Sequence, residues 1–93
     1  MAELTRLVLD VLKPHEPDAI ALANAIAERL PQVRVSLKVV AVDQRTETTQ
    51  VTIEGSALPF ADIAAVLADL GATIHSVDGV EVIGAAWPGR GGA

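Results

Sequence analysis

The sequence contains no cysteine, so disulfide bonds, thiolate metal sites and cysteine nucleophiles are all excluded. Large aromatic residues are almost absent as well: Phe60 and Trp87 are the only Phe, Tyr or Trp residues among the 93. A hydrophobic core must therefore be built from Ala, Val, Leu and Ile, which bury less area per residue than aromatic rings do. Binding of RNA by stacked aromatic side chains on a sheet is also disfavoured.

Basic residues are outnumbered by acidic ones, 7 to 12, and the net charge is −5. Arg34 and Lys38 form the only local basic feature, which is too small to follow a phosphate backbone, so we predict no nucleic-acid partner. No apolar run approaches about 18 residues, which argues against a membrane span. The first residues lack the basic start and cleavage site of a signal peptide, so a cytoplasmic location is expected.

Mean hydropathy is nevertheless positive, at +0.41. A chain of this length predicts a single domain, which we assign to residues 1–87, followed by a loose Gly-rich tail at 88–93. Because a small domain with few large side chains is marginally stable alone, an apolar surface buried between copies is expected.

Alternation and helical spacing divide the chain into strand, helix, strand, strand, helix and strand. The predicted segments are strands at 4–13, 33–43, 49–54 and 72–77 and helices at 18–30 and 59–70, with an extended apolar run at 80–86 and a polar turn at 44–48. This order predicts an α+β, ferredoxin-like βαββαβ fold, in which two helices cover one face of a four-stranded antiparallel sheet.

Each element has a predicted core face. In the first strand it consists of Leu7, Leu9 and Val11. The apolar stripes of the two helices are Ala19, Ile20, Ala23, Ile26, Ala27 and Leu30, and Phe60, Ile63, Ala64, Leu67 and Leu70. Pro17 suits a first helical position, and Asp78-Gly79 favours a turn or a bulge.

The ends of two strands are apolar on both faces, although only one face is needed for the core. We therefore predict subunit contacts at Val40, Val42, Val80 and Val82.

Five polar residues are candidates for a ligand or metal site: Asp10, His15, Glu16, His75 and Asp78. Carboxylates suit calcium or magnesium, and two imidazoles suit zinc or nickel. The alternative is structural. His15 would then hydrogen-bond a neighbour in a rigid KPHEP corner where Glu16 caps the helix, and His75 would be a partly buried strand residue paired with a carboxylate such as Asp10.

Two motifs carry a resemblance to a known family. Residues 12–15 read LKPH, with Pro17 shortly after, and residues 74–78 read IHSVD, with Val80 after them. Together with VTIEG at 51–55 and Phe60, they resemble the small, mainly archaeal family called domain of unknown function two-eleven. The resemblance implies a ferredoxin-like fold, cyclic oligomers and, in some members, divalent cations without an established role.

The sequence departs from that family at two positions. It has Gly71-Ala72 where the family has a glycine pair, and Gly79 where the family has an acidic residue. The second difference removes a potential cation ligand.

These observations predict a non-catalytic ligand-binding or scaffold module that acts as a cyclic homo-oligomer. The alternative is a protein or enzyme dependent on a divalent cation, with a His/carboxylate site between subunits. No nucleophile and base adjacent in sequence support the enzyme. No cofactor is assigned, and calcium, magnesium or zinc are the candidates for the cation. We expect His75 to affect oligomer stability or ligand retention more than His15.

Overall fold

The computed structural model describes residues 1–89 and has the predicted ferredoxin-like fold. Its elements are β1 (Glu3–Pro14), α1 (Ala19–Arg29), β2 (Arg34–Val42), β3 (Thr46–Glu54), α2 (Phe60–Asp69) and β4 (Thr73–Ile83). The strands form one antiparallel sheet in the order β2-β3-β1-β4, which leaves β2 and β4 as its two edges. Of the predicted tail at 88–93, residues 90–93 lie outside the described residues. Neither α1 nor α2 has the length and hydrophobicity of a membrane-spanning helix.

The core lies between the two helices and one face of the sheet. Leu7, Leu9 and Val11 are buried as predicted, because alternate residues of a strand point to the same side. They join a cluster of buried residues from the other elements, chiefly Leu22, Ile26, Val51, Ile53, Ile63 and Leu67. The predicted stripe of α1 is wrong at one residue of its first turn: Ile20 is 75% exposed, and Leu22, two residues later, is fully buried in its place.

The start of α1 differs from the prediction. Asp18 is the N-cap, and its side chain accepts a hydrogen bond of 2.8 Å from the backbone N–H of Ala21. Glu16 therefore does not cap the helix, and Pro17 precedes the cap and is joined to Glu16 by a cis peptide bond. The end of α2 follows the prediction, because Gly71 has a φ of +82°, which only glycine adopts easily.

The strands are much longer than the helices. The 12 residues of β1 span about 40 Å, whereas the 11 residues of α1 span about 16 Å. The chain accordingly measures 47 × 23 × 18 Å. Because the helices cannot cover the full length of the sheet, its strand ends stay exposed on the helix side, and several valines of β2 and β4 lie there.

Irregularities in the register decide which way these strand ends face. Val40 has no partner between the pairs Val39–Thr49 and Ala41–Thr48, which identifies a bulge in β2. Val42 then pairs with Glu47, whose partner on β1 is the buried Lys13, so Val42 lies on the helix side of the sheet. Strict alternation had predicted the opposite face for Val42.

Two further register shifts, in β4, leave His75 and Asp78 without cross-strand partners. Asp78-Gly79 therefore forms a bulge and not a turn, and β4 continues through it to Ile83. β3 is also longer than predicted, since it begins at Thr46 and takes in most of the predicted polar turn.

Candidate functional site

The polar residues of interest fall into two groups on different parts of the sheet. We call Lys13, His15 and Glu47 the corner cluster, because they join the end of β1 to the start of β3. We call Asp10 and His75 the open-face pair, because they lie on the sheet face that carries no helix. The predicted set of five ligand candidates is therefore divided.

Lys13 anchors the corner cluster and is the largest fully buried side chain in the described chain. It continues the alternation of Leu9 and Val11, so its stem runs along the core side of β1. Its ammonium donates hydrogen bonds of 2.8 Å to the Pro14 carbonyl and 2.8 Å to Oε1 of Glu47. The charge is thus buried but paired, which is the condition under which a buried ammonium is tolerated.

His15 completes the cluster, with both ring nitrogens engaged. Nδ1 lies 3.0 Å from Oε2 of Glu47, and Nε2 lies 2.9 Å from the backbone carbonyl of Gln44. A carboxylate and a carbonyl only accept hydrogen bonds, so both nitrogens must donate. This geometry fits the doubly protonated imidazolium, and neither nitrogen is left with a lone pair for a metal.

The electrostatics of the cluster agree with that protonation state. The hydrogen bond that His15 donates to the Glu47 carboxylate, helped by the one to the Gln44 carbonyl, raises the pKa of His15 above its ordinary value of 6.5. Hydrogen bonds from His15 and then from Lys13 lower the pKa of Glu47 below its ordinary value of 4.5. Each group therefore favours the charged form of its neighbour.

The corner cluster holds the KPHEP corner against the hairpin between β2 and β3. This confirms the structural interpretation in which His15 hydrogen-bonds a neighbour. Sequence reasoning missed Lys13 and Glu47: Glu47 was placed in a turn, and Lys13 was read only as part of the motif. The available signal was parity, because Lys13 stands two residues after Val11 on the core face.

The open-face pair has a different character. Nδ1 of His75 lies 3.3 Å from Oδ2 of Asp10, and the two side chains are 76% and 28% exposed. The predicted contact with Asp10 is present, but His75 is exposed in the single chain and not partly buried. When Nδ1–H of the neutral imidazole donates a hydrogen bond to Asp10, the lone pair lies on Nε2 of this exposed side chain. Metal-binding and proton-transferring histidines commonly have this arrangement.

The remaining candidates lie apart from these groups. The hydroxyl of Ser76 donates a hydrogen bond of 2.6 Å to Oδ1 of Asp78, beside the bulge, and Glu16 is exposed at the corner. Within residues 1–89, no three His, Asp or Glu side chains come together as a metal site. A cation bound by the open-face pair would need ligands from elsewhere.

A surface cleft of about 350 Å³ lies away from both groups. It is an open depression between the end of α1 and the start of α2, lined by residues that include Arg29, Gln32, Ser56 and Asp62. Neither histidine reaches it, so cleft volume does not indicate a site here.

Comparison with known proteins identifies the family of this chain. The model of domain of unknown function 211 (DUF211), described as an uncharacterised ArCR, matches residues 5–86. The chain belongs to the DUF211 family. It is also 41% identical over 80 residues to an uncharacterised protein of Methanocaldococcus jannaschii, a match that covers 86% of this chain and 82% of that protein. Both descriptions leave the DUF211 activity open.

Proposed function

We propose that this DUF211 protein is a non-catalytic scaffold or ligand-binding module that works as a cyclic homo-oligomer, with its ligand held between subunits. The observation that carries the proposal is the exposure of apolar side chains on both edge strands. Val40 and Val42 on β2 are 60% and 65% exposed, and Val80 and Val82 on β4 are 62% and 54% exposed. These are the four valines that sequence reasoning assigned to subunit contacts.

The placement of these valines supports association between copies. They lie on edge strands whose outer backbone groups have no strand partner within residues 1–89, and such edges readily pair with another strand. Soluble proteins rarely leave apolar side chains clustered on a long open edge unless an interface covers them. Contact between copies would bury the valines and satisfy the backbone together.

Light scattering at micromolar concentration tests the proposal. We expect a mass greater than that of a dimer for the parent. Val82→Asp should lower that mass, because a charge would be buried without a partner in the interface. Ile20→Asp is the matched control, since Ile20 is an equally apolar exposed residue on α1. A monomeric mass for the parent would refute the proposal.

The open-face pair supports a second candidate: a divalent-cation site, with or without catalysis, shared between subunits. Its basis is the Asp10–His75 contact, which orients one imidazole nitrogen toward solvent. Because the described residues of one chain supply no third ligand, the site would need residues of another copy. Zinc suits such an imidazole, and calcium or magnesium would depend more on the carboxylates.

Isothermal titration of each metal against the assembled protein separates the two candidates. A cation site predicts saturable binding that His75→Ala removes and that Gln44→Ala, a change on the exposed hairpin, leaves intact. Absence of binding by the parent and by both variants would leave the scaffold function alone.

A further inference from the structure

The two edge strands carry opposite charges on the open face of the sheet. β2 contains Arg34 and Lys38 and no acidic residue. β4 contains Asp78 and Glu81 and neither lysine nor arginine. One edge of the sheet is therefore basic and the other is acidic, although the chain as a whole is acidic.

One row of residues across the sheet shows how these edges match. The paired positions run Arg34, Glu54, Arg6 and Glu81 from β2 to β4, so charge alternates at every strand. Inside the row, Nε of Arg6 lies 3.7 Å from Oε2 of Glu54. At its outer end, Arg34 forms no ion pair with any described residue. A further acidic strand beside β2 would continue the alternation, and β4 of another copy is such a strand.

The rows on the helix side match in the same way. Following cross-strand partners from β2 to β4, the row of Val35 ends at Val80, that of Leu37 at Val77, and that of Val39 at Ile74. Joining the end of each row to its own beginning therefore places apolar residues beside apolar ones. The bulge at Asp78 keeps these rows aligned, because it absorbs the extra residue of β4 between Val77 and Gly79.

Building on the homo-oligomer proposed above, we propose that β4 of one copy pairs with β2 of the next, with Glu81 opposite Arg34. The partner is a second copy of this chain, and the sheet continues from subunit to subunit. β2 runs parallel to β1 and β4 antiparallel to it, so a copy added in the plane of the sheet meets its neighbour with antiparallel strands. This preserves the pattern of the whole sheet.

Pairing of identical edges is the competing arrangement. Two β2 edges would bring Arg34 and Lys38 of one copy against the same basic residues of the other, and two β4 edges would bring acidic residues together in the same way. Like charges directly opposite one another destabilise a strand pair. The unlike edges also form a head-to-tail contact, which closes into a ring when the rotation between copies allows it.

Disulfide trapping tests the pairing directly, because the natural chain has no cysteine. The variant Arg34→Cys/Glu81→Cys carries both thiols on one row. Within a chain they stand three strands apart, about 14 Å, which is too far for a disulfide. We expect mild oxidation of this variant to give covalent multimers that reductant dissolves. Each single-cysteine variant should remain monomeric on a denaturing gel.

The combination Lys38→Cys/Glu81→Cys is the register control, since its thiols would be four residues, about 13 Å, out of line along the strands. It should give few multimers. A single-cysteine variant that forms covalent dimers would show that identical edges meet, and the inference would be wrong. It would be equally wrong if the parent is oligomeric and the Arg34→Cys/Glu81→Cys variant stays uncrosslinked, although the proposed oligomer would then stand. A monomeric parent would refute both.

A charge change gives a second, independent measurement. Glu81→Arg should weaken subunit association by about tenfold, because an attractive pair becomes a repulsive one. Glu28→Arg makes the same change in net charge on the exposed side of α1 and should leave association unchanged. Equal effects of the two variants would contradict the proposed contact.

Discussion

Replacement of Lys13 by methionine tests whether the corner cluster stabilises the fold. Met keeps the apolar stem of the side chain and removes the ammonium, so packing along the core changes little. The carbonyl of Pro14 then loses its donor, and Glu47 keeps only His15 as a charged partner. Lys13→Met therefore isolates the electrostatic contribution of a side chain whose exposed fraction is 0%.

The magnitude follows from the geometry. Removing one partner of a fully buried ion pair costs about 3–5 kcal/mol. The side chain of Glu47 is 16% exposed and retains its bond from His15, so solvent and imidazolium partly compensate. We therefore expect Lys13→Met to lower the free energy of unfolding by about 2–3 kcal/mol, a large share of the usual 5–15 kcal/mol. For a domain of this size the melting temperature should fall by about 10–20 °C.

Thermal and denaturant unfolding at one fixed protein concentration provide the assay, because the proposed association of copies would make stability depend on concentration. Arg45→Met is the control, since Arg45 is exposed on the hairpin and its loss should change stability by less than about 0.5 kcal/mol. In the double variant Lys13→Met/Glu47→Gln, the second change should cost less than Glu47→Gln does alone. A Lys13→Met protein as stable as Arg45→Met, or strictly additive changes, would refute the reasoning.

Three further measurements concern other parts of the molecule. His15→Gln should lose stability relative to the parent at pH 5.5 and less at pH 9: the pKa of His15 is raised above 6.5, so its contribution is complete below that pH and is lost as pH rises through the folded-state pKa. A pH-independent difference between the two melting curves would contradict this. The same contribution should also fade in acid, because the pKa of Glu47 is lowered from 4.5 and its stabilisation is lost as pH falls through the folded-state value. Thr49→Val should cost about 0.5–1.5 kcal/mol in urea unfolding, since the buried Thr49 hydroxyl donates a 2.7 Å bond to the Val11 carbonyl; an unchanged midpoint would show that bond to be neutral. Oligonucleotides should not bind with a sub-micromolar dissociation constant at physiological salt. Fluorescence anisotropy that shows such tight binding would overturn the argument from charge.

The sequence predicted the architecture because hydrophobic periodicity and breakers agree along most of the chain. Leu7, Leu9 and Val11 alternate without interruption, and the helices end close to Pro31 and Gly71. Prediction was weaker where two patterns overlapped. In α1 an Ala-rich segment makes the apolar stripe wide, so Ile20 and Leu22 were both acceptable and only packing against the sheet selects Leu22.

The candidate site was predictable in part. The Asp10–His75 contact was anticipated in the structural alternative, which paired His75 with a carboxylate such as Asp10, and the pairing of β1 with β4 brings the two side chains together. The corner cluster was not predicted, because Glu47 and Lys13 meet only when β3 is extended back to Thr46 and aligned with the end of β1. That alignment is a long-range pairing, and local composition around residues 44–48 favours a turn.

The two histidines, both named as ligand candidates from their motifs, consequently have different surroundings in the fold. His15 has both nitrogens bound inside the chain, so its replacement should act on the stability and pH response of the fold itself. His75 stands in a bulge with its outer nitrogen facing solvent, beside the edge strand proposed to meet the next copy. A bulge reorients one side chain at little cost to the rest of the ladder. An effect of His75→Ala on assembly or ligand retention, without a comparable effect on unfolding of the single chain, would therefore assign the open-face pair to function and the corner cluster to the fold.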